Sequence, residues 1–285
     1  MSHADNSAIR SSLSFELFPP KDEAGIDRLI SGTVTRLAAF RPDYFSVTFG
    51  AGGATREGTQ ALVEKLVRSG TKAVPHLSAA GSTNAEVDRL VERYRNLGVQ
   101  QILCLRGDRP SSGDHRTVFA KDLVEQLHQR FPGQFELSVA AYPEIHPDSA
   151  SAEEDIHYFA AKVQSGASSA ITQYFYSPDA YEYFMERCAK AGVQIPIHAG
   201  VMPITNIDSL QQFSAKAGAD IPRWLRKSAA SFAEDDEGLR SFGVEVVTKL
   251  CEKLLQMGAP GLHFYTLNRW GASSQICRNL GFPEH

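Results

Sequence analysis

The stretch 13-LSFELFPPK-21 begins as a buried β-strand, apolar and aromatic, and stops at a Pro-Pro pair that cannot extend a sheet ladder. Glu16 sits inside it between Phe15 and Leu17. A carboxylate among apolar neighbours is costly to bury unless it is paired or protonated. Either Glu16 is the solvent-facing member of an alternating strand, or the fold needs an acid at the strand end. The rest of the pattern decides between the two.

Working outward, seven further strand-like runs follow: 43-DYFSVTF-49, 72-KAVPHLS-78, 100-QQILCLR-106, 135-FELSVAAY-142, 169-SAITQYF-175, 194-QIPIHAGVM-202 and 261-GLHFYTL-267. Amphipathic helical stretches separate them, among them 56-REGTQALVEKLVRSG-70, 83-TNAEVDRLVERYRNLG-98 and 239-LRSFGVEVVTKLCEKLLQMG-258. Eight strand–helix units in 285 residues predict an α/β fold, a (β/α)8 TIM barrel in a single domain, with extra helices near residues 221–240. The rival, a doubly wound open sheet, lacks its GxGxxG fingerprint; 50-GAGGAT-55 reads as a plain flexible loop. Residues 1–12 are polar and lack the apolar core of a signal peptide, so they read as a flexible tail, with the barrel spanning 13–285.

Bulk properties exclude several classes. The composition is 42% hydrophobic and 22% charged, that of a soluble globular protein. A net charge of -4 argues against nucleic-acid partners and a polybasic membrane patch, and no apolar run reaches membrane-span length. Cys104, Cys188, Cys251 and Cys277 form no CxxC pair and no zinc spacing, which predicts buried free thiols, no metal and a cytoplasmic location.

Active sites of such barrels lie at the C-terminal strand ends. Polar side chains stand there on seven of the eight strands: Glu16, Thr48, His76, the run 104-CLRGD-108, 142-YPEIHP-147, Gln173 and 265-YTLNR-269. Each alone has a structural alternative, such as a satisfied core histidine at His76 or a surface ion pair of Arg106 and Asp108. Together they describe a large polar ligand site, with Phe18, Tyr142, Tyr174, Phe213 and Tyr265 as faces for planar rings. No HxH, HExxH or nucleophile elbow occurs.

The ordered set SFELFPPK, 46-SVTFGAGG-53, 75-PHLS-78, 105-LRGD-108, 139-VAAYPEIHP-147, 171-ITQYF-175 and 263-HFYTLNR-269 resembles the 5,10-methylenetetrahydrofolate reductase family from about Leu13 to about Gly281. The resemblance implies a barrel enzyme that holds FAD non-covalently, takes hydride from NADH or NADPH, and reduces methylenetetrahydrofolate in a ping-pong cycle. It implies Glu16 and Asp108 as catalytic carboxylates, the first as general acid. Thr48, His76, Arg106, Gly107, Asp108, Ala120, Tyr142, His146, Asp155 and Lys162 match FAD-contacting positions. Gln173, Phe213, Tyr265 and Arg269 match positions that meet folate or nicotinamide. A homo-oligomer is implied too, and the end of the chain at His285 leaves no room for the regulatory domain of larger members.

The sequence departs from the family pattern at Ser78 and Ala79, where PHLTC is usual, and at 199-AGVMP-203, where PGIMP is usual. Tyr158 and Ala161 stand where members carry polar or basic residues near the adenine–pyrophosphate half of FAD, which predicts weak flavin retention. Two alternatives follow: a flavin-independent reductase with direct hydride transfer, and a non-catalytic flavin- or folate-binding barrel.

Overall fold

The computed structural model describes residues 11–49, 56–107, 118–232 and 234–285. Eight parallel strands close into a barrel in sequence order: β1 (Ser12–Leu17), β2 (Tyr44–Val47), β3 (Ala73–Ser78), β4 (Gln101–Leu105), β5 (Glu136–Ala141), β6 (Ser169–Thr172), β7 (Ile197–Val201) and β8 (Gly261–Tyr265). β1 pairs with both β2 and β8, so the sheet has no edge. The expected barrel is therefore present. β1 starts one residue earlier than the sequence suggests: Ser12 belongs to it, and its hydroxyl donates to Asp43 at 2.7 Å.

Helices cover the outside: α1 (Glu23–Leu29), α2 (Thr35–Ala38), α3 (Arg56–Arg68), α4 (Asn84–Leu97), α5 (Ala120–Arg130), α6 (Ala152–Gln164), α7 (Pro178–Lys190), α8 (Ile207–Ala217), α9 (Arg223–Ala230), α10 (Asp236–Gln256) and α11 (Gly271–Asn279). A π-helical turn, Ile30–Val34, joins α1 to α2. Local signals set several ends. Thr83 and Glu86 form a reciprocal capping box at the start of α4, and Gly98 closes it in the left-handed conformation. The extra helix expected near 221–240 is α9, with the start of α10 behind it.

The strand register fixes which residues share the barrel interior. Partners across a parallel ladder face the same way. Glu16 pairs with Ser46, Ser46 with Val74, His76 with Leu103, Leu103 with Ser138, Ser138 with Ser169, Ile171 with His198, and Gly200 with His263. His263 pairs back with Ser14, which closes the ring. Leu13, Phe15 and Leu17 take the opposite face and pack with the helices in the main core. Phe15 anchors that layer, its ring 5.8 Å from Phe45 and 5.7 Å from Phe264. Inside, Tyr44, Val74, Leu103 and Ile171 form a separate small apolar cluster. The remaining interior positions are polar to a degree unusual for this fold, in which branched aliphatics normally fill the barrel. All four cysteines are free and buried.

Candidate active site

Glu16 is the penultimate residue of β1 and faces inward at the C-terminal rim, 6% exposed. Its Oε2 lies 3.6 Å from His76 Nε2 on β3 and 3.9 Å from His263 Nε2 on β8. Burial pushes the Glu16 carboxyl above the ordinary carboxylate range, the opposing pull of His76 being weaker. Burial also pushes His76 down to about 4 and His263 to about 3. Both imidazoles are thus neutral at pH 7 and supply no positive charge to a Glu16 anion. The site thus favours the protonated form of Glu16 more than solvent would, and the residue faces the barrel interior rather than water.

The backbone around this acid is clamped from β8. Thr266 Oγ1 donates to the Glu16 carbonyl at 2.6 Å. Asn268 accepts from Phe18 N at 2.9 Å and donates to Phe18 O at 2.8 Å, tying the Pro-Pro exit of β1 to the exit of β8. Leu267 and Asn268 both have positive φ, 50° and 60°, and Thr33 on the π-turn donates to the Asn268 carbonyl at 2.8 Å. Tyr265 spans the barrel to donate from its hydroxyl to Thr172 O at 2.7 Å. That crossing needs Gly200, because a Cβ there would lie 2.0 Å from the same carbonyl and 2.8 Å from the Tyr265 ring.

The expected flavin-side residues fall into three groups. Thr48 and His76 are buried at the ends of β2 and β3, and among the described residues Thr48 Oγ1 and His76 Nε2 have no hydrogen-bond partner. Gly107 adopts φ +78°, with Ser78 so close that a Cβ would sit 2.0 Å from its hydroxyl. Ser78 Oγ donates to Arg106 O at 2.8 Å. The third group sits beyond β5. Arg106 pairs with Asp148 at 2.7 Å, and His146 packs edge-on against Tyr142 at 4.5 Å while its Nδ1 accepts from Asp148 N. Asp155 accepts from His146 N at 3.2 Å and from Ser149 Oγ at 3.0 Å. Lys162 reaches from α6 to donate to Ala140 O at 2.6 Å, and burial brings its amine down to about 8. Ala120 opens α5. Asp108 lies outside the described residues.

On the substrate side, Gln173 follows β6 and its side-chain carbonyl accepts from Tyr174 N at 3.0 Å. Phe213 on α8 is 40% exposed, a free aromatic face. Arg269 follows the Asn268 clamp and is exposed. Tyr174 does not offer the ring face expected of it. It is 4% exposed within the main core, its ring edge-on to Tyr265 at 5.9 Å and its hydroxyl 3.3 Å from Ser214 Oγ. Strand alternation explains this, since Gln173 takes the inward position. Tyr158 is exposed and donates to Glu154, and Ala161 lines a shallow groove with Lys121 and His128.

Sequence reasoning missed His263, Thr266 and Asn268 as site residues, although all three lie in 263-HFYTLNR-269. The available signal was parity: His263 stands two residues before Tyr265, as Ser14 stands two before Glu16, so both point inward one layer below the rim.

The chain matches the family model for methylenetetrahydrofolate reductase over residues 2–281. It is 34% identical over 270 residues to the 5,10-methylenetetrahydrofolate reductase of Escherichia coli (strain K12), covering 94% of this chain and 90% of that protein. The Pectobacterium carotovorum protein of the same name is 33% identical over 273 residues, with 95% and 91% covered. Methylenetetrahydrofolate reductase (NADH) 1 of Arabidopsis thaliana is 31% identical over 291 residues, which span 96% of this chain and 49% of that one. Among solved structures, a Clostridium thermocellum protein described as binding two copies of 5-methyl-5,6,7,8-tetrahydrofolic acid superposes with a TM-score of 0.68 over 94% of each chain. At 15% identity that likeness speaks for the barrel alone. With this barrel, an acid buried at its rim and relatives matched along nearly its whole length, the chain belongs to the methylenetetrahydrofolate reductase family of oxidoreductase enzymes.

Proposed function

We propose that this enzyme reduces 5,10-methylenetetrahydrofolate to 5-methyltetrahydrofolate, with NADH or NADPH as electron source, FAD held non-covalently at the rim, and Glu16 as proton donor. The observation that carries it is Glu16 itself: a buried carboxyl, its pKa pushed up by burial, set 3.6 and 3.9 Å from two imidazoles at the C-terminal end of the barrel.

The methylene bridge between N5 and N10 of the folate is a poor hydride acceptor. Transfer of the Glu16 proton to N10 breaks the N10–methylene bond and leaves an N5 iminium, which accepts hydride at carbon. Each turnover therefore consumes one hydride from the nicotinamide and one proton from Glu16, and leaves Glu16 as an anion. The proton is positioned by the fold, since Thr266 and Asn268 fix the backbone on both sides of it.

The described residues fit FAD. Thr48 Oγ1 and His76 Nε2 are buried polar atoms without hydrogen-bond partners among the described residues, suited to the edge of a planar heterocycle. Gly107 lets the backbone approach closely, and Arg106 and Lys162 lie on the flank where an anionic tail would run. When bound there, FAD supplies two-electron hydride chemistry. Gln173, Phe213, Tyr265 and Arg269 are assigned to the folate and nicotinamide, and Asp108 to tuning the flavin, on the family resemblance. The same resemblance supports a cytoplasmic homo-oligomer; among the described residues no helix is long and apolar enough to cross a membrane.

Anaerobic rapid mixing of Glu16→Gln tests the proposal. Bleaching of the yellow enzyme by NADH or NADPH should persist, while folate reduction falls by about a hundredfold or more. Folate reduction at the wild-type rate would remove Glu16 from the chemistry. A colourless enzyme that oxidises nicotinamide only with folate present would replace FAD with direct hydride transfer.

A further inference from the structure

The proposed chemistry leaves Glu16 deprotonated at a rim covered by stacked ligands. Its proton must be replaced once per turnover. Below Glu16, beside the small apolar cluster of Val74, Leu103 and Ile171, one side of the barrel interior carries hydroxyl and imidazole groups in sequence. His263, fully buried, has its Nε2 3.9 Å from Glu16 and its Nδ1 2.7 Å from Ser14 Oγ. Ser14 stands directly across the β1–β2 ladder from Tyr44, and the Tyr44 ring lies 6.2 Å from the His263 ring. Tyr44 reaches a cavity of about 630 Å³ at the opposite, N-terminal mouth of the barrel. Asp43, Lys72, Gln101, Glu136 and His198 also line that cavity, and Lys72 and Glu136 are exposed to solvent.

We propose that Tyr44, Ser14 and His263 form a proton relay that reloads Glu16 from the N-terminal mouth of the barrel, on the face opposite the bound ligands. The proposal rests on Glu16 being the donor. In the transfer, His263 Nε2–H gives its proton to the Glu16 carboxylate while Nδ1 takes the Ser14 proton. Ser14 takes the Tyr44 proton, and Tyr44 takes one from cavity water. One proton enters at the mouth and one arrives at Glu16 without a charged imidazole; a flip of the His263 ring and rotation of the two hydroxyls then restore the Nε2–H tautomer for the next turnover. Two steps require motion: Tyr44 must turn its hydroxyl onto Ser14, and His263 Nε2, 3.5 Å from Ser46 Oγ and 3.9 Å from Glu16, must close on the carboxylate, which draws the imidazole N–H through a charge-assisted hydrogen bond.

Two features separate this column from ordinary packing. Branched aliphatic side chains would fill these layers without any desolvation cost, as they do in most barrels of this fold. The polar groups also stand in one file between cavity and acid, joined at its centre by the 2.7 Å Ser14–His263 hydrogen bond. The groups facing His263 are Ser14 and Glu16 on β1, Tyr44 and Ser46 on β2, His76 on β3, His198 on β7 and Tyr265 on its own strand. Burial keeps His263 neutral at working pH, as a group that passes protons without storing them.

The test compares the first turnover with later ones by rapid quench, in Tyr44→Phe and His263→Gln. Tyr44→Phe removes one oxygen and retains the ring, so it keeps the packing even where the histidine variant fails to fold. In Tyr44→Phe the first turnover draws on the proton already on Glu16 and should fall less than about twofold, whereas in both variants steady-state turnover should fall about tenfold or more with an enlarged solvent deuterium isotope effect. First and later turnovers falling together in Tyr44→Phe, or neither falling, would overturn the relay. Intact folate reduction in Glu16→Gln would instead overturn the donor assignment on which it rests.

Discussion

Asn268 brackets the Phe18 peptide, accepting from its N–H at 2.9 Å and donating to its carbonyl at 2.8 Å. The pair joins residues 250 positions apart and serves as a side-chain substitute for one rung of sheet. It holds the strand that carries Glu16 at the point where Pro19 and Pro20 can offer no N–H of their own. Asn268→Asp keeps the shape and loses the donor. It should lower stability by about 1–3 kcal/mol, because the Phe18 carbonyl then faces an acceptor. Urea unfolding measures that loss. Rapid-mixing kinetics should show the folate step slowed and nicotinamide oxidation spared, since the displaced group is Glu16.

Gly200 is predicted to be intolerant of even one methyl group. Gly200→Ala sets a Cβ against the Thr172 carbonyl and the Tyr265 ring at once, and the Thr172 carbonyl is backbone that cannot swing away. Overpacking of this kind costs about 1–3 kcal/mol, and Tyr265→Phe, which loses only the hydroxyl bond to Thr172, should cost about 1 kcal/mol. Denaturant midpoints of the two variants give the comparison. Equal losses would mean that Gly200 is not what allows the ring its path.

The buried titratable groups make stability depend on pH in two opposed ways. His76 and His263 have folded-state pKa values near 4 and 3, below the ordinary 6.5. Their contribution is complete above pH 6.5 and is lost as pH falls toward those values, because only the unfolded chain binds the protons. Glu16 is shifted upward, so its contribution is complete below 4.5 and is lost as pH rises toward its folded value. Stability should therefore drop steeply below about pH 6, by a few kcal/mol for the histidine pair. His263→Gln should flatten that acid limb, and Glu16→Gln should raise stability at neutral and alkaline pH. Urea midpoints taken across the pH range check both signs.

The sequence carried the barrel because each strand alternates and each helix has a stripe, signals that need no partner to be read. It carried Glu16 and the rim residues because a closed barrel sends every strand end to one place. What it hid was long-range pairing. Nothing near Asn268 announces Phe18, and Ser14 and His263 become neighbours only when β8 closes on β1. Tyr174 shows the opposite failure: a strand-end aromatic looked available for stacking, but alternation had already given the inward position to Gln173. The helix after β5 shows a third limit. Lys162 matched an anion-binding position, yet its burial and its bond to Ala140 O depend on how α6 lies against the sheet.

Lys162 supplies the last prediction. Its amine donates to Ala140 O, lies 5.4 Å over the Phe159 ring and is brought down to about 8 by burial, the nearby Asp155 charge only partly opposing this. An amine with that pKa is only partly protonated in mildly alkaline solution. An anionic FAD pyrophosphate on this flank would favour the protonated form, so binding and protonation are linked. FAD affinity should then fall as pH rises through about 8, and Lys162→Met should weaken binding by about tenfold at neutral pH while abolishing that pH dependence. The fold itself should survive the change with equal or greater stability, because methionine removes a buried cation that no carboxylate among the described residues contacts directly. Flavin fluorescence titrations of both proteins across the pH range provide the measurement. An unchanged pH dependence in Lys162→Met would move the anion contact elsewhere, with Arg106 released from Asp148 the next residue to test.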